Sequence, residues 1–265
     1  MKKNPAILIL MIATLFSGCE KVTDFYIGIP EQPDFKNSDF HPGMNILGIL
    51  RPDNKNGLNM SFVYIQKVLP ATSAFSEELN IPDATVRIFE PGVGDSVLFR
   101  YDNPSRTFSD SAYRSVIPFN PQKGKMYGVV CHYAGLPDAV GIARMPDPPA
   151  IDLTSVTISD NILTFSVLPD TTIRMIDVYL VGQDNSAFLN RTVPDSSSAA
   201  IIQVDISGAG ASSFLRIFVY DANLAEYYAN TNTSLNFNKF RTTYSTMISG
   251  YGVFGALNFS DIILP

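Results

Sequence analysis

From residue 44 onward, short apolar runs alternate with clusters of turn-forming residues, and within the runs side chains alternate with a period of two. Ala84, Val86 and Ile88 point one way while Thr85 and Arg87 point the other, as a half-buried strand requires. This pattern predicts strands over Met44–Leu50, Met60–Leu69, Ala84–Glu90, Ser96–Tyr101, Met126–Ala134 and Ala139–Arg144. Segments such as Pro52-Asp-Asn-Lys-Asn-Gly57 and Pro91-Gly-Val-Gly-Asp95 separate them. A second set covers Leu153–Ile158, Ile162–Leu168, Ile173–Val181, Ala199–Ile206 and Phe214–Tyr220. The pattern also predicts one short helix over Ala222–Asn230, a polar Thr/Asn-rich loop over 231–246 and a closing strand over Ala256–Leu264.

Between the two sets lies Met145-Pro-Asp-Pro-Pro-Ala150, whose three prolines cannot sit inside a strand ladder. Strands at this spacing without amphipathic helices between them predict an all-β protein of two consecutive antiparallel β-sandwiches. The expected division is a first sandwich over 44–145, a Pro-rich linker over 146–150 and a second sandwich with a C-terminal extension over 151–265. Residues 19–43 lack periodicity and carry Pro30, Pro33 and Pro42, which reads as a tether. Its aromatics Phe25, Tyr26, Phe35 and Phe40 suit a tether that lies on the body or one that binds something beside it.

The N-terminus changes the picture from fold to place. Lys2 and Lys3 precede an apolar run from Pro5 to Phe16. As a helix that run is roughly 18 Å long, short of the ~30 Å hydrocarbon core, so it reads as a signal peptide over residues 1–18. Phe16-Ser17-Gly18-Cys19 resembles the lipobox of bacterial lipoproteins. The resemblance implies acylation of the Cys19 thiol, cleavage before it and acylation of the new amino group. Several acyl chains on one cysteine hold a protein to a bilayer far more firmly than the single chain that binds only marginally.

Charge and composition mainly exclude. Net charge is −6, and about −8 once Lys2 and Lys3 leave with the signal, so no basic field exists to hold nucleic acid. With Cys19 assigned to lipid, Cys131 stands alone and reads as a small buried hydrophobe. His41 lies in the tether, and His132 lies in a strand with no acid spaced to orient it. No His-Glu-x-x-His, Gly-x-Ser-x-Gly or Cys-x-x-Cys occurs, so no catalytic residue, metal ligand or cofactor site is expected. Asp53-Asn-Lys-Asn-Gly57 reads as a solvated turn, because Lys55 falls where a calcium ligand should be. Asp170, Asp177, Asp184, Asp195, Asp205 and Asp221 are numerous enough for paired-carboxylate chemistry, but sandwiches of this size seldom enclose a cleft.

Gly250-Tyr-Gly-Val-Phe-Gly255 spells the dinucleotide-binding pattern, yet no strand–turn–helix context can follow in the few residues left. Glycines there permit positive-φ turns or close backbone approach. Tyr251 and Phe254 then either lock the C-terminal segment onto the body or offer an aromatic contact to a partner.

Taken in order, several landmarks resemble a lipoprotein family of unknown function from Bacteroidetes-type bacteria. They are the lipobox cysteine, Ala84-Thr-Val86, Pro121-Gln-Lys-Gly-Lys-Met-Tyr127, the prolines from 146 to 149 and Gly250-Tyr-Gly-Val-Phe-Gly-Ala256. The resemblance implies a transthyretin- or carboxypeptidase-regulatory-like first sandwich and a fibronectin-III-like second one. It also implies outer-membrane residence, often beside a TonB-dependent transporter, and supplies no catalytic residue. Glu20 and Asp24 are not adjacent, so the acidic surface-export stretch of such bacteria is sparse and the leaflet stays open. Together these readings predict a non-catalytic accessory subunit of a nutrient-uptake system. The alternative is a surface glycan-binding or adhesion lipoprotein using Tyr64, Tyr101, Tyr113 and Tyr133.

Overall fold

The computed structural model describes residues 41–55, 57–69, 79–102, 111–182, 186–210, 213–229 and 245–264. Residues 1–18, Cys19 and nearly all of the tether lie outside the described residues, as does Asp184. Pro42–Leu69 and Ala74–Pro265 group into one compact unit.

The described chain is all-β apart from one helix. The strands are β1 (Met44–Leu50), β2 (Asn54–Lys55), β3 (Leu58–Asn59), β4 (Phe62–Lys67), β5 (Thr85–Phe89), β6 (Ser96–Asp102), β7 (Ala112–Ser115), β8 (Met126–His132) and β9 (Ala139–Arg144). After the proline segment come β10 (Ile151–Ser159), β11 (Ile162–Val167), β12 (Met175–Val181), β13 (Ser186–Thr192), β14 (Ala200–Asp205), β15 (Phe214–Tyr220), helix α1 (Ala222–Ala229) and β16 (Tyr251–Ile263). Their pairings are antiparallel, as expected, with one exception: β1 and β16 run parallel.

In the first lobe one sheet runs in the order β16-β1-β4-β7-β6-β5-β8-β9. It curls until Val140 of β9 bridges Ser249 just ahead of β16, with Val140 N donating to Ser249 O at 2.9 Å. Inside the curl lies an apolar core that includes Ile46, Val63, Val86, Phe99, Val129 and Phe254. In the second lobe β10-β11-β14 packs against β13-β12-β15 and the C-terminal half of β16, around Phe165, Val178, Ile202 and Ile217. Two-residue turns suit such hairpins when both central residues take positive φ, and Asp160 (51°) and Asn161 (65°) do so between β10 and β11.

β16 is the element that joins the lobes. Its first half pairs with β1, from Asn45–Tyr251 to Leu50–Ala256, and its second half pairs with β15, from Tyr220–Leu257 to Phe214–Ile263. It therefore pairs on both sides of the proline segment expected to separate two sandwiches. That segment carries no strand, and side chains hold its backbone. Asn258 Nδ2 donates to Pro146 O (3.0 Å), Ser260 Oγ to Pro149 O (3.1 Å) and Asp147 N to Thr172 Oγ1 (3.2 Å). A third apolar cluster covers the other face of β1 and β16 with Leu47, Ile49, Val253, Leu257, Tyr220 and the α1 residues Leu224, Ala225 and Tyr228. β1 and the first half of β16 are thus buried on both faces, which is why β1 reads as a nearly continuous apolar run.

Candidate functional site

The segment 250–256 carries the sequence motif with the most demanding geometry. Gly250 and Gly252 have φ of 89° and 93°, a region that side-chain-bearing residues rarely adopt. A Cβ on Gly252 would collide with the backbone oxygen of Ile46, and one on Gly250 would come within 2.8 Å of Ala139 Cβ. Gly255 gives the same clearance to α1, since a Cβ there would lie 2.5 Å from Leu224 Cγ. The glycines thus serve close approach of β16 to β1, β9 and α1, and no phosphate cradle forms.

Tyr251 and Phe254 separate in their roles. The Phe254 ring is fully buried and rests where Gly48 lacks a side chain, while its Cβ lies against Gly141. It therefore locks the C-terminal segment into the first lobe. The alternative of a partner contact is corrected for Phe254, because its position on β16 faces the curl of the sheet. Tyr251 is 38 % exposed and lies over Gly43.

The isolated thiol is structural in its surroundings. Cys131 is fully buried in the first core, and burial pushes its pKa up to about 12. A thiol reagent such as DTNB is expected to leave Cys131 unmodified in the folded body and to label it only across the urea transition. Labelling in buffer at the rate of a free thiol would contradict this burial. Tyr113 is enclosed in the same core. Its hydroxyl donates to Ile81 O (2.6 Å) and accepts from Ala84 N (2.7 Å), and burial pushes its pKa up to about 12.

His132 does have an acid beside it, contrary to the sequence expectation. The turn of the β8–β9 hairpin brings Asp138 Oδ1 to 2.7 Å from His132 Nδ1. Both side chains are more than half exposed, so the pair stands in solvent and is not screened from water. Among the described residues no group of three or more His, Cys, Asp or Glu side chains could hold a metal ion.

Of the carboxylates singled out in the sequence, those among the described residues are occupied locally. Asp170, Asp195 and Asp205 accept from the backbone N–H two residues ahead, at Thr172, Ser197 and Ser207. Such bonds favour the charged form and hold Asp195 and Asp205 below the usual carboxylate range. Asp53 takes a two-pronged bond from Arg51 (2.8 and 2.7 Å), so the turn once compared with a calcium loop closes on its own arginine. Asp177 is fully buried and meets Arg191 through two bonds of 2.7 Å across the β12–β13 register, with Tyr220 OH donating at 3.2 Å.

Asp221 caps α1, accepting from Leu224 N at 3.0 Å. Burial pushes its carboxyl up to about 7, while the amides of Leu224, Ala256, Arg144 and Asn223 pull the other way. The folded body then holds this proton more tightly than the unfolded chain. Its stabilising contribution is full below about pH 4 and is lost as pH rises through about 7. Moving this carboxyl from 3.8 to about 7 is linked to a stability change on the order of 4 kcal/mol across that pH range. The urea midpoint is expected to fall between about pH 4.5 and 8, and Asp221→Asn, which caps without titrating, is expected to lose that fall. A midpoint equally pH-dependent in both proteins would reject the assignment.

Aromatic residues form a row across the outer face of the second lobe. Phe188, Tyr179, Phe218 and Phe259 meet edge to face at centroid distances of 5.5, 5.6 and 5.7 Å. Arg216, paired with Asp261 at 2.8 Å, lies 4.4 Å from the Phe259 ring centroid and 5.3 Å from that of Phe214. The tyrosines singled out in the sequence are placed elsewhere. Tyr101 packs edge-on against buried Tyr113, Tyr64 donates to Asn80 Oδ1 (2.7 Å), and Tyr133 lies under Lys67. The row was missed because Phe188 belongs to an edge strand without alternation and Phe259 to a segment read only as a closing strand.

No protein-family model matches the chain, and no curated protein matches it. Similar solved structures include a cytokine receptor complex, with 9% identity, TM-score 0.28 and coverage of 82% of this chain and 95% of that one. A two-domain fibronectin type III segment from chicken tenascin has 13% identity and TM-score 0.22, over 69% of this chain and 91% of that one. The chicken interferon gamma receptor alpha chain has 7% identity and TM-score 0.21, over 68% and 87%.

Proposed function

We propose that this chain is a lipid-anchored, non-catalytic accessory subunit of the outer membrane, serving a TonB-dependent nutrient-uptake system. The observation that carries the reading is the Phe16-Ser17-Gly18-Cys19 lipobox behind a short apolar run. No helix among the described residues is long and apolar enough to cross a membrane. The buried and paired polar groups described above act on turns, a helix cap and strand pairs. Confinement to a membrane raises the effective concentration of a neighbouring transporter, so even a weak contact is populated.

The test is direct. Mass spectrometry of the native protein is expected to find an acylated Cys19 as the first residue, and Cys19→Ser is expected to move the chain from the membrane to the soluble fraction. Mild-detergent purification is expected to recover a transporter. An unacylated N-terminus sinks the anchoring, and a lipidated protein that never recovers a transporter sinks the accessory role. A second reading, glycan capture, is favoured by the aromatic row, where Phe188 is 45 % exposed. Glycan-array binding that Phe188→Ala abolishes would decide for it.

A further inference from the structure

The first strand of the body, β1, and its last, β16, lie side by side and start at the same end, over six register pairs from Asn45–Tyr251 to Leu50–Ala256. The chain enters β1 at Met44 and leaves β16 at Ile263, so these strands receive any pull applied to the two ends of the body. Parallel neighbours that start together are then driven in opposite senses along their common axis, β1 backward and β16 forward. Every bond between them bears load at once, whereas peeling from one end would load a single pair at a time. The remainder of β16 adds seven register pairs with β15 along the same axis.

Side chains make this pair resist sliding as well as separation. Gly252 is the residue of β16 that passes the Ile46 carbonyl, and its neighbours Tyr251 and Val253 both carry a Cβ that cannot occupy that place. The Phe254 ring sits against Gly48, its Cβ faces Gly141, and Tyr251 lies over Gly43. A slip of one residue would also turn every β16 side chain to the opposite face, and both faces are packed.

We propose that β1 and β16 form a tension clamp, which keeps the body folded when it is pulled between the side that enters β1 and the end that leaves β16. The clamp follows from strand order and packing, and it holds whether or not the N-terminal side is fixed to a membrane. Such attachment, if the function proposed above is right, supplies one of its two points of load.

The test is single-molecule force spectroscopy on the full-length chain carrying Cys19→Ser, with DNA handles on paired cysteines. Pro42→Cys with Ile263→Cys pulls the clamp in shear. Pro42→Cys with Ile248→Cys pulls the same two strands from one end. All three positions are exposed, and the buried Cys131 takes no handle. At equal loading rate the shear geometry is expected to unfold at a force at least about twice that of the peeling geometry, since forced unfolding reports the barrier along the pulled direction. Equal forces, or a lower force in shear, would overturn the clamp. Pro42→Cys with Ser249→Cys repeats the peeling arm, so a local disturbance at residue 248 cannot decide the outcome.

Discussion

Replacing Gly252 with alanine is expected to abolish cooperative unfolding of the body, at a cost of at least about 4 kcal/mol, a large part of a typical domain's stability. Two effects combine. Alanine at a φ of 93° is strained, and its Cβ meets the Ile46 carbonyl inside a β1–β16 pair that is packed on both faces. Gly92→Ala separates the two effects, because Gly92 has a φ of 85° with open space around its missing Cβ. That variant is expected to lose only about 1–2 kcal/mol, the cost of the backbone conformation alone. Urea unfolding followed by tyrosine near-UV circular dichroism measures both. Equal losses in the two proteins would show that the approach to Ile46 is not what limits this position.

Ending the chain at Ser249 is the second large change, and neither lobe is expected to keep a cooperative melt. The missing strand supplies buried Val253, Phe254, Ala256, Leu257 and Ile262, which are shared among all three apolar clusters. It also leaves β1 and β15 with open edges in the middle of what was an eleven-stranded order. A synthetic peptide spanning residues 249–264 is expected to restore the near-UV signal when added to the truncated chain. A truncated chain that melts within a few degrees of the intact one would mean that β16 decorates the lobes and does not hold them.

Much of the strand pattern was legible because half-buried strands alternate. Val86 and Ile88 are buried while Thr85 and Arg87 are exposed, and strand β5 lies where that alternation predicts. Elements without alternation escaped. β7 is only four residues long and buried throughout, and β13 is an edge strand whose first three residues are exposed. The N-terminal half of β16 was hidden by its glycines, which read as turn formers until Ile46, Ala139 and Leu224 are seen pressing against them. Pairing between β1 and β16 has no local signature at all, since register is written in the partner and not in the strand.

The candidate chemistry divides in the same way. Burial of Cys131 followed from its place on the inward face of its strand. The contact of His132 with Asp138 did not, because it depends on how a hairpin turn carries residue 138 back along β8. The burial of Phe254 depends on Gly48 and Gly141, two residues far away in sequence.

Because β1 is made among the first residues of the body and β16 among the last, about 200 residues must emerge before this contact can exist, the arrangement of high contact order that slows folding. A chain threaded N-terminus first through a secretion channel would carry β1 across with one side of its ladder unmet. The first lobe therefore completes only once β16 has emerged, and until then one side of the β1 ladder is an open edge of the kind that favours aggregation.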